Sequence, residues 1–185
     1  MKLTETELKG VLIIEPDVYQ DTRGFFLETY HQNRYEALGI QSDFVQDNMS
    51  FSKKGTLRGL HFQRPHDQAK LVQVAKGTVF DVVVDIRRGS PTFGKWTGAY
   101  LSDDKNRQIF IPEGFAHGFC VMSEYAVFIY KCSDFYMREC EGGILWSDPD
   151  LNIRWPVENP LVSEKDMQLP RLKGLATDKL PAYHL

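Results

Sequence analysis

The chain has 185 residues, 22 Lys and Arg against 25 Asp and Glu, a formal net charge of −3, and 42% hydrophobic and 12% aromatic residues. A chain of this size buries roughly 70% of the surface it exposes when unfolded, which predicts a single domain over 1–185 and excludes disorder as the main state or any need for a metal or disulfide staple. The slightly acidic balance gives no long-range attraction for nucleic acid or anionic membrane, so an anionic ligand must be met by locally placed Arg and Lys.

The first nine residues are polar, and the first apolar run, Val11 to Ile14, is too short for a signal segment or a membrane span. A soluble, cytoplasmic protein is expected. Strand-like runs then follow one another between turn residues: 11–14, 24–30, 44–51, 56–62, 70–75, 78–86, 96–101, 108–111, 115–122 and 126–131. In the clearest of them Phe80, Val82, Val84 and Ile86 form one face and Asp81 and Asp85 the other, which predicts that half of this strand is core. Helical patterning is confined to His31–Leu38 and a short piece after Ser163. With no βαβ rhythm, the pattern predicts a mainly β sandwich or jelly-roll barrel with short flanking helices. Cys120, Cys132 and Cys140 are odd in number and spaced neither as a zinc pair nor as a closed disulfide set, so free thiols are expected.

Several polar side chains sit on strand patterns where a barrel interior would make them costly. Phe44, Gln46 and Asn48 share one face, which fits either an amide pair beside an aromatic ring in a pocket or a solvent-facing edge. Phe26 and Glu28 share a face behind Arg23, with an exposed edge strand as the plain alternative. In Leu57-Arg58-Gly59-Leu60-His61-Phe62-Gln63, Arg58 and His61 lie in an apolar strand around a glycine that permits a bulge or close approach, and a charge buried there needs a partner. Lys70, by its pattern alone, is a strand-end amine in solvent or a cation in a site. Tyr130 reads as a core aromatic with a satisfied hydroxyl. Ser163-Glu164-Lys165-Asp166 reads as a capping box, a local role sufficient for both Ser163 and Asp166.

Ile111-Pro112-Glu113-Gly114-Phe115-Ala116-His117-Gly118-Phe119 matches the second cupin signature, a P-x-G turn followed by an inward His. The H-x-H pair that metal-binding cupins use to chelate an ion is missing, which leaves only an unusual set of His61, His66 and His117 for a metal.

Taken in order, Asp21 to Glu28, Gln46-Asp47-Asn48, Leu57 to Gln63, Gln68 to Val72, Ser90 to Trp96, Ile111 to Phe119, Tyr130-Lys131 and Ser163 to Asp166 closely resemble the dTDP-4-dehydrorhamnose 3,5-epimerase family. The resemblance implies a cupin-type jelly roll acting without metal or other cofactor on a dTDP-4-dehydro-6-deoxyhexose. It implies that His61 is the general base, that Asp166 orients it, that Tyr130 is the acid on the opposite face of the sugar, and that Lys70 faces the C4 keto oxygen. Arg58, His117, Glu141 and Lys165 fall where the family contacts the sugar or diphosphate, and Arg23, Phe26, Glu28, Gln46 and Asn48 fall in its nucleotide-binding set. The family exchanges N-terminal strands between subunits, so a homodimer is expected. The sequence departs from the family at Phe135, where a second tyrosine usually precedes Tyr136.

The chemistry agrees with these roles. A ketone at C4 acidifies the hydrogens at C3 and C5, so inversion needs a base on one face, an acid on the other and a charge to stabilise the enolate. Histidine, ordinarily titrating near about 6.5, suits the base, and tyrosine, near about 10, keeps its proton to donate. The rival readings are a C3-only or C5-only epimerase of deoxysugar tailoring, a metal-dependent cupin oxygenase, and a cupin that only binds nucleotide sugars.

Overall fold

The structure, a computed structural model, describes residues 1–183. In chain order the elements are β1 (Lys2–Glu5), β2 (Leu12–Glu15), β3 (Val18–Asp21), β4 (Gly24–Leu27), α1 (Gln32–Glu36), β5 (Gln46–Lys53), β6 (Leu57–Gln63), β7 (Lys70–Lys76), β8 (Thr78–Asp85), β9 (Trp96–Ser102), β10 (Gln108–Ile111), β11 (Phe115–Val121), β12 (Tyr125–Cys132), β13 (Glu141–Gly143) and α2 (Glu164–Met167). Each strand-like run of the sequence holds one of these strands. The strands that periodicity did not mark, β1, β3 and β13, are four residues or fewer. Segments that short carry no readable alternation, and each forms because a neighbour offers it an edge to pair with.

Antiparallel pairing builds a six-stranded sheet, β1-β2-β10-β7-β12-β5, facing a five-stranded sheet, β13-β6-β11-β8-β9, while β3 and β4 form a separate hairpin. This is the expected jelly roll. Between the sheets lie Val72, Val74, Val79, Val83, Ile109, Phe119 and Phe128 with their neighbours. A second apolar layer covers the outside of the five-stranded sheet, where Val82, Val84 and Ile86 pack with Leu151, Leu172 and Leu180 from the segment after β13. Both faces of β8 are therefore buried, not half of it. The Val79 and Asp81 face looks into the barrel, and the Val82 face meets the C-terminal chain, each fully buried valine contributing about 1.5–3 kcal/mol over an exposed one. On the outside of the six-stranded sheet α1 lays Tyr35 against Ile14, Leu71 and Phe110. Phe44 joins this outer cluster, edge-on to Tyr30 at 5.3 Å, because it precedes β5 and does not share the inward face of Gln46 and Asn48.

One irregularity aims the site. His117 pairs with His61 and Phe119 with Arg58, so β6 advances three residues where β11 advances two. The extra residue is a β-bulge, and it turns both Arg58 and His61 toward the barrel interior despite their odd spacing. Two glycines permit it. A Cβ on Gly59, whose φ is +122°, would stand 2.6 Å from Gly118 Cα, and a Cβ on Gly118 would stand 2.6 Å from the Arg58 carbonyl oxygen.

The loop after β8 closes on one carboxylate. Asp85, fully buried, accepts hydrogen bonds from Arg87 Nη2 at 2.7 Å, Ser90 Oγ at 2.6 Å and Thr92 Oγ1 at 2.6 Å, while Arg87 lies over the Phe115 ring at 4.1 Å. Burial alone would raise this carboxyl, but the bonds from Arg87, Ser90 and Thr92 outweigh it and hold it below the ordinary carboxylate value. Its folded value is thus the depressed one, so its stabilisation is present at neutral pH and is lost as pH falls through that value. Asp85→Asn, which strands the Arg87 charge against the sheet, is expected to cost about 3–5 kcal/mol in urea unfolding at pH 7. A change under about 1 kcal/mol would show that the loop does not depend on this ion pair.

Candidate active site

Between the sheets a cavity of about 480 Å³ reaches Arg58, His61, Lys70, His117, Tyr130 and Asp166, and a second lobe of about 290 Å³ adds Gln46, Gln63, Gln68, Cys132, Tyr136 and Glu141. The lobes share Asn48, His61, Lys70 and Tyr130. His61 stands on β6 of the five-stranded sheet, and Tyr130 and Lys70 stand on β12 and β7 of the six-stranded sheet. A flat ligand lodged in the cavity therefore has the imidazole on one side and the phenol and ammonium on the other.

His61 Nε2 is 2.7 Å from Asp166 Oδ1, and Asp166 Oδ2 accepts the Gly59 N–H at 3.1 Å. The bulge leaves that N–H free for the carboxylate. Ser163 caps α2 by accepting the Asp166 N–H at 3.1 Å, but Asp166 does not complete a capping box: its side chain turns to the histidine instead. Burial would raise the Asp166 carboxyl, and the hydrogen bond and charge of His61, with the Gly59 N–H, bring it below its ordinary value, so it stays ionised. The imidazole remains about one-third exposed, open to the cavity.

Lys70 is not a solvated strand end. It opens β7 opposite Cys132 and projects its ammonium to 6.0 Å from the Tyr130 ring centroid, with no salt bridge among the described residues. Desolvation pulls its pKa below the ordinary lysine value, and the charges of Cys132, Asp81 and Glu141 work against that pull. Burial pushes the Tyr130 phenol up, so it holds its proton at neutral pH. Its ring packs against the barrel core, and the residue also lines both lobes of the cavity.

Arg58 donates Nε–H to Ser52 Oγ at 3.1 Å and meets no carboxylate among the described residues, which leaves the rest of its guanidinium facing the cavity. Gln46 donates to Asn48 Oδ1 at 3.0 Å, and both amides line the lobes. Glu141 accepts from Lys165 Nζ at 2.5 Å and from Tyr136 Oη at 2.9 Å, and these bonds overcome the burial that would raise its carboxyl. His117 Nε2 lies 2.9 Å from Asp81 Oδ2, both side chains nearly or wholly out of solvent. Burial raises the Asp81 carboxyl and its histidine opposes that rise.

Arg23, Phe26 and Glu28 do not join this cavity within their own chain. Arg23 and Phe26 border a surface groove on the β3–β4 hairpin, and Glu28, beyond the end of β4, pairs with Arg34 at 3.1 Å. Phe26 and Glu28 consequently do not share a strand face. The third histidine of the possible metal set, His66, sits on a loop 3.0 Å from Asp134, and among the described residues no three His, Cys, Asp or Glu side chains group as metal ligands.

The sequence alone assigns no role to Asp81, Ser52 or Gln63, and it brings up Tyr136 only beside the departure at Phe135 and as an alternative to Tyr130. Asp81 left a usable signal, because an acid amid Val79, Phe80, Val82 and Val83 cannot be buried without a partner, and His117 is that partner. Phe135, the departure from the family pattern, is 57% exposed and lines neither lobe, whereas Tyr136 lines one. Within one chain the departure therefore falls outside the cavity.

No helix among the described residues is long and apolar enough to cross a membrane. The family model for dTDP-4-dehydrorhamnose 3,5-epimerase matches residues 5–174. The dTDP-4-dehydrorhamnose 3,5-epimerase of Shigella flexneri is 57% identical over 90% of this chain and 93% of its own. A dTDP-4-dehydrorhamnose 3-epimerase of Streptomyces niveus is 44% identical over 90% of this chain and 81% of its own. The crystal structure of the dTDP-6-deoxy-D-glucose-3,5-epimerase of Legionella pneumophila Philadelphia 1, in complex with dTDP-4-keto-L-rhamnose, superposes with a TM-score of 0.97 at 50% identity, covering 100% of this chain and 99% of that one. With a matching jelly roll, a matching family model over most of its length and relatives at this identity, the chain belongs to the dTDP-4-dehydrorhamnose 3,5-epimerase family.

Proposed function

We propose that the protein, acting as one jelly-roll unit over 1–185, inverts C3 and C5 of dTDP-4-dehydro-6-deoxy-D-glucose to give dTDP-4-dehydro-L-rhamnose, on the way to dTDP-L-rhamnose. The observation that carries the reading is the separation of base and acid onto opposing sheets, with a desolvated ammonium beside the acid. With Nε2 bonded to Asp166, His61 has Nδ1 left to take the proton from the carbon next to the ketone. The negative charge moves to the C4 oxygen, where Lys70 stabilises it in a site with little water to screen the attraction. Tyr130 then delivers a proton from the far side, the carbon is inverted, and His61 releases its proton to water while Tyr130 regains one from water before the second carbon reacts. Arg58, Lys165 and the amides of Gln46 and Asn48 serve the diphosphate and nucleotide, and His117, fixed by Asp81, bounds the sugar. The reaction moves only protons and asks for no metal or redox cofactor.

The same reading makes the protein a cytoplasmic homodimer with exchanged N-terminal strands. Three unpaired cysteines fit a reducing compartment. The β3–β4 hairpin pairs with no other strand among the described residues and leaves Tyr19, Phe25 and Phe26 at 61%, 56% and 69% exposure, a costly surface for a free monomer. Passed to a second copy, it would bring Arg23 and Phe26 toward a cavity that lacks them.

In heavy water with dTDP-4-dehydro-6-deoxy-D-glucose, the wild-type protein is expected to place deuterium at both C3 and C5, read by NMR. Deuterium at one carbon would select the single-carbon epimerase. His61→Ala is expected to lower exchange at both carbons by about 10²–10⁴-fold, the usual weight of a general base. Tyr130→Phe keeps the base and the ring volume, so exchange should persist while inverted product nearly vanishes; product at the wild-type rate would remove Tyr130 from the acid role.

Turnover should survive exhaustive treatment with EDTA, and a loss restored by one particular ion would refute a pure proton-transfer mechanism. Light scattering should give twice the mass of one chain, and Phe25→Asp with Phe26→Asp should shift it to one chain with weakened dTDP binding. A wild-type monomer with full activity would end the strand-exchange reading.

A further inference from the structure

We propose that Gln63 is a positioning residue for this reaction: by clamping the loop 134–137 it sets Tyr136 at the rim of the substrate cavity. The proposal rests on the epimerase reading of the site. Gln63 ends β6 two residues after His61, on the same inward face, and is only 5% exposed. Its Nε2 donates to the His66 carbonyl at 2.6 Å and to the Phe135 carbonyl at 2.9 Å, and its Oε1 accepts the Met137 N–H at 2.7 Å. The amide therefore grips the backbone on both sides of Tyr136. Two other glutamines finish the loop, Gln46 Oε1 accepting the Tyr136 N–H at 2.8 Å and Gln68 Nε2 donating to the Asp134 carbonyl at 2.8 Å.

The local chain has another way to satisfy these groups. Phe135 and Tyr136 are 57% and 53% exposed, so water can reach the loop and serve its amides and carbonyls. What the buried amide adds is a fixed backbone, and hence a fixed direction for the Tyr136 side chain, whose Oη reaches Glu141 at 2.9 Å. Glu141 in turn holds Lys165, the residue before Asp166, so the loop, the cavity rim and the support of the base are joined through one carboxylate. A ligand that closes against Tyr136 then finds it already ordered and does not bear the cost of ordering it on binding.

The test is Gln63→Met, which keeps the length of the side chain and removes all three bonds. The expected result is a rise of about tenfold in both KM and the dTDP dissociation constant measured by calorimetry, with kcat within about threefold, the pattern of a lost pre-ordering rather than a lost chemical group. Hydrogen exchange at the Met137 amide should quicken. In a Tyr136→Ala background, Gln63→Met should add nothing further to KM, because a residue that acts through Tyr136 has no effect once Tyr136 is gone. Additive effects in that double variant, unchanged KM and dTDP affinity, or a fall in kcat at constant KM would each overturn the proposal. Should Gln63→Met fail to fold, Gln63→Glu retains the acceptor for Met137 and presents an oxygen to two carbonyls; the same rise in KM is expected, and its absence counts against the clamp. Wild-type protein that forms no inverted sugar would instead overturn the epimerase reading, leaving dTDP affinity and amide exchange to judge Gln63.

Discussion

Between Arg58 and His61 the strand β6 carries one residue more than its partner β11, and most of the site follows from that surplus. A regular strand would put one of these two side chains outside the barrel, since neighbours three apart face opposite ways. The bulge brings both in and releases the Gly59 N–H from the ladder, and the released N–H fixes Asp166 at 3.1 Å while the same carboxylate holds His61 at 2.7 Å. The orientation of His61 is thus tied, through Asp166, to the backbone at Gly59. Close contact between Gly59 and Gly118 makes the arrangement possible, which gives both glycines a steric reason in a strand interior where glycine otherwise weakens pairing.

The two histidine–aspartate pairs differ in what surrounds them. His61 and Asp166 have side-chain exposures of 31% and 5%, so the first pair opens to the cavity, whereas His117 and Asp81 at 8% and 0% are sealed at its floor. On the proposed reading this difference in exposure fits a base in the first case and a fixed wall in the second. Lys70 shows the cost of such a floor. Burial of its ammonium opposes folding in the charged form, so stability rises with pH between its lowered value and the ordinary 10.5 as the proton is given up. On the proposed reading, the enolate would lose its counter-charge over the same window. The desolvation that would strengthen Lys70 as a counter-charge is the same desolvation that makes its ammonium costly to bury.

The barrel was legible in the sequence because nearly every strand has one apolar face and a turn residue at its end. The site was less so, for reasons that differ by residue. His61, Lys70, Tyr130 and Asp166 sit in patterns that local rules explain equally well as core, strand end or cap, and only the in-order resemblance to a family separated the readings. Asp166 in particular satisfies the spacing of a capping box and then does not form one, since His61, 105 residues earlier, competes for its carboxylate and no local rule sees that far. The alternation of Asp81 with Phe80 and Val82 is real, but the apolar Val82 face is the outer one, covered by the chain beyond β13, and the Asp81 face turns into the barrel toward His117. Gln63 was invisible as a clamp because its partners are backbone groups of a loop whose path no periodicity encodes.

The stereochemistry of the sugar explains how one base can serve two carbons on the proposed reading. In the gluco configuration the hydrogens on C3 and C5 are both axial and lie on the same face of the ring, on either side of the C4 ketone. A single imidazole beneath that face needs only a small shift of the ring to pass from one to the other, and a single ammonium beside the C4 oxygen stabilises either enolate. Both returning protons must then come from the opposite face, where the six-stranded sheet presents Tyr130. Within one chain Phe135 lies outside both lobes and Tyr136 lines one, so on the proposed reading it is Tyr136, beside Tyr130, that borders the sugar.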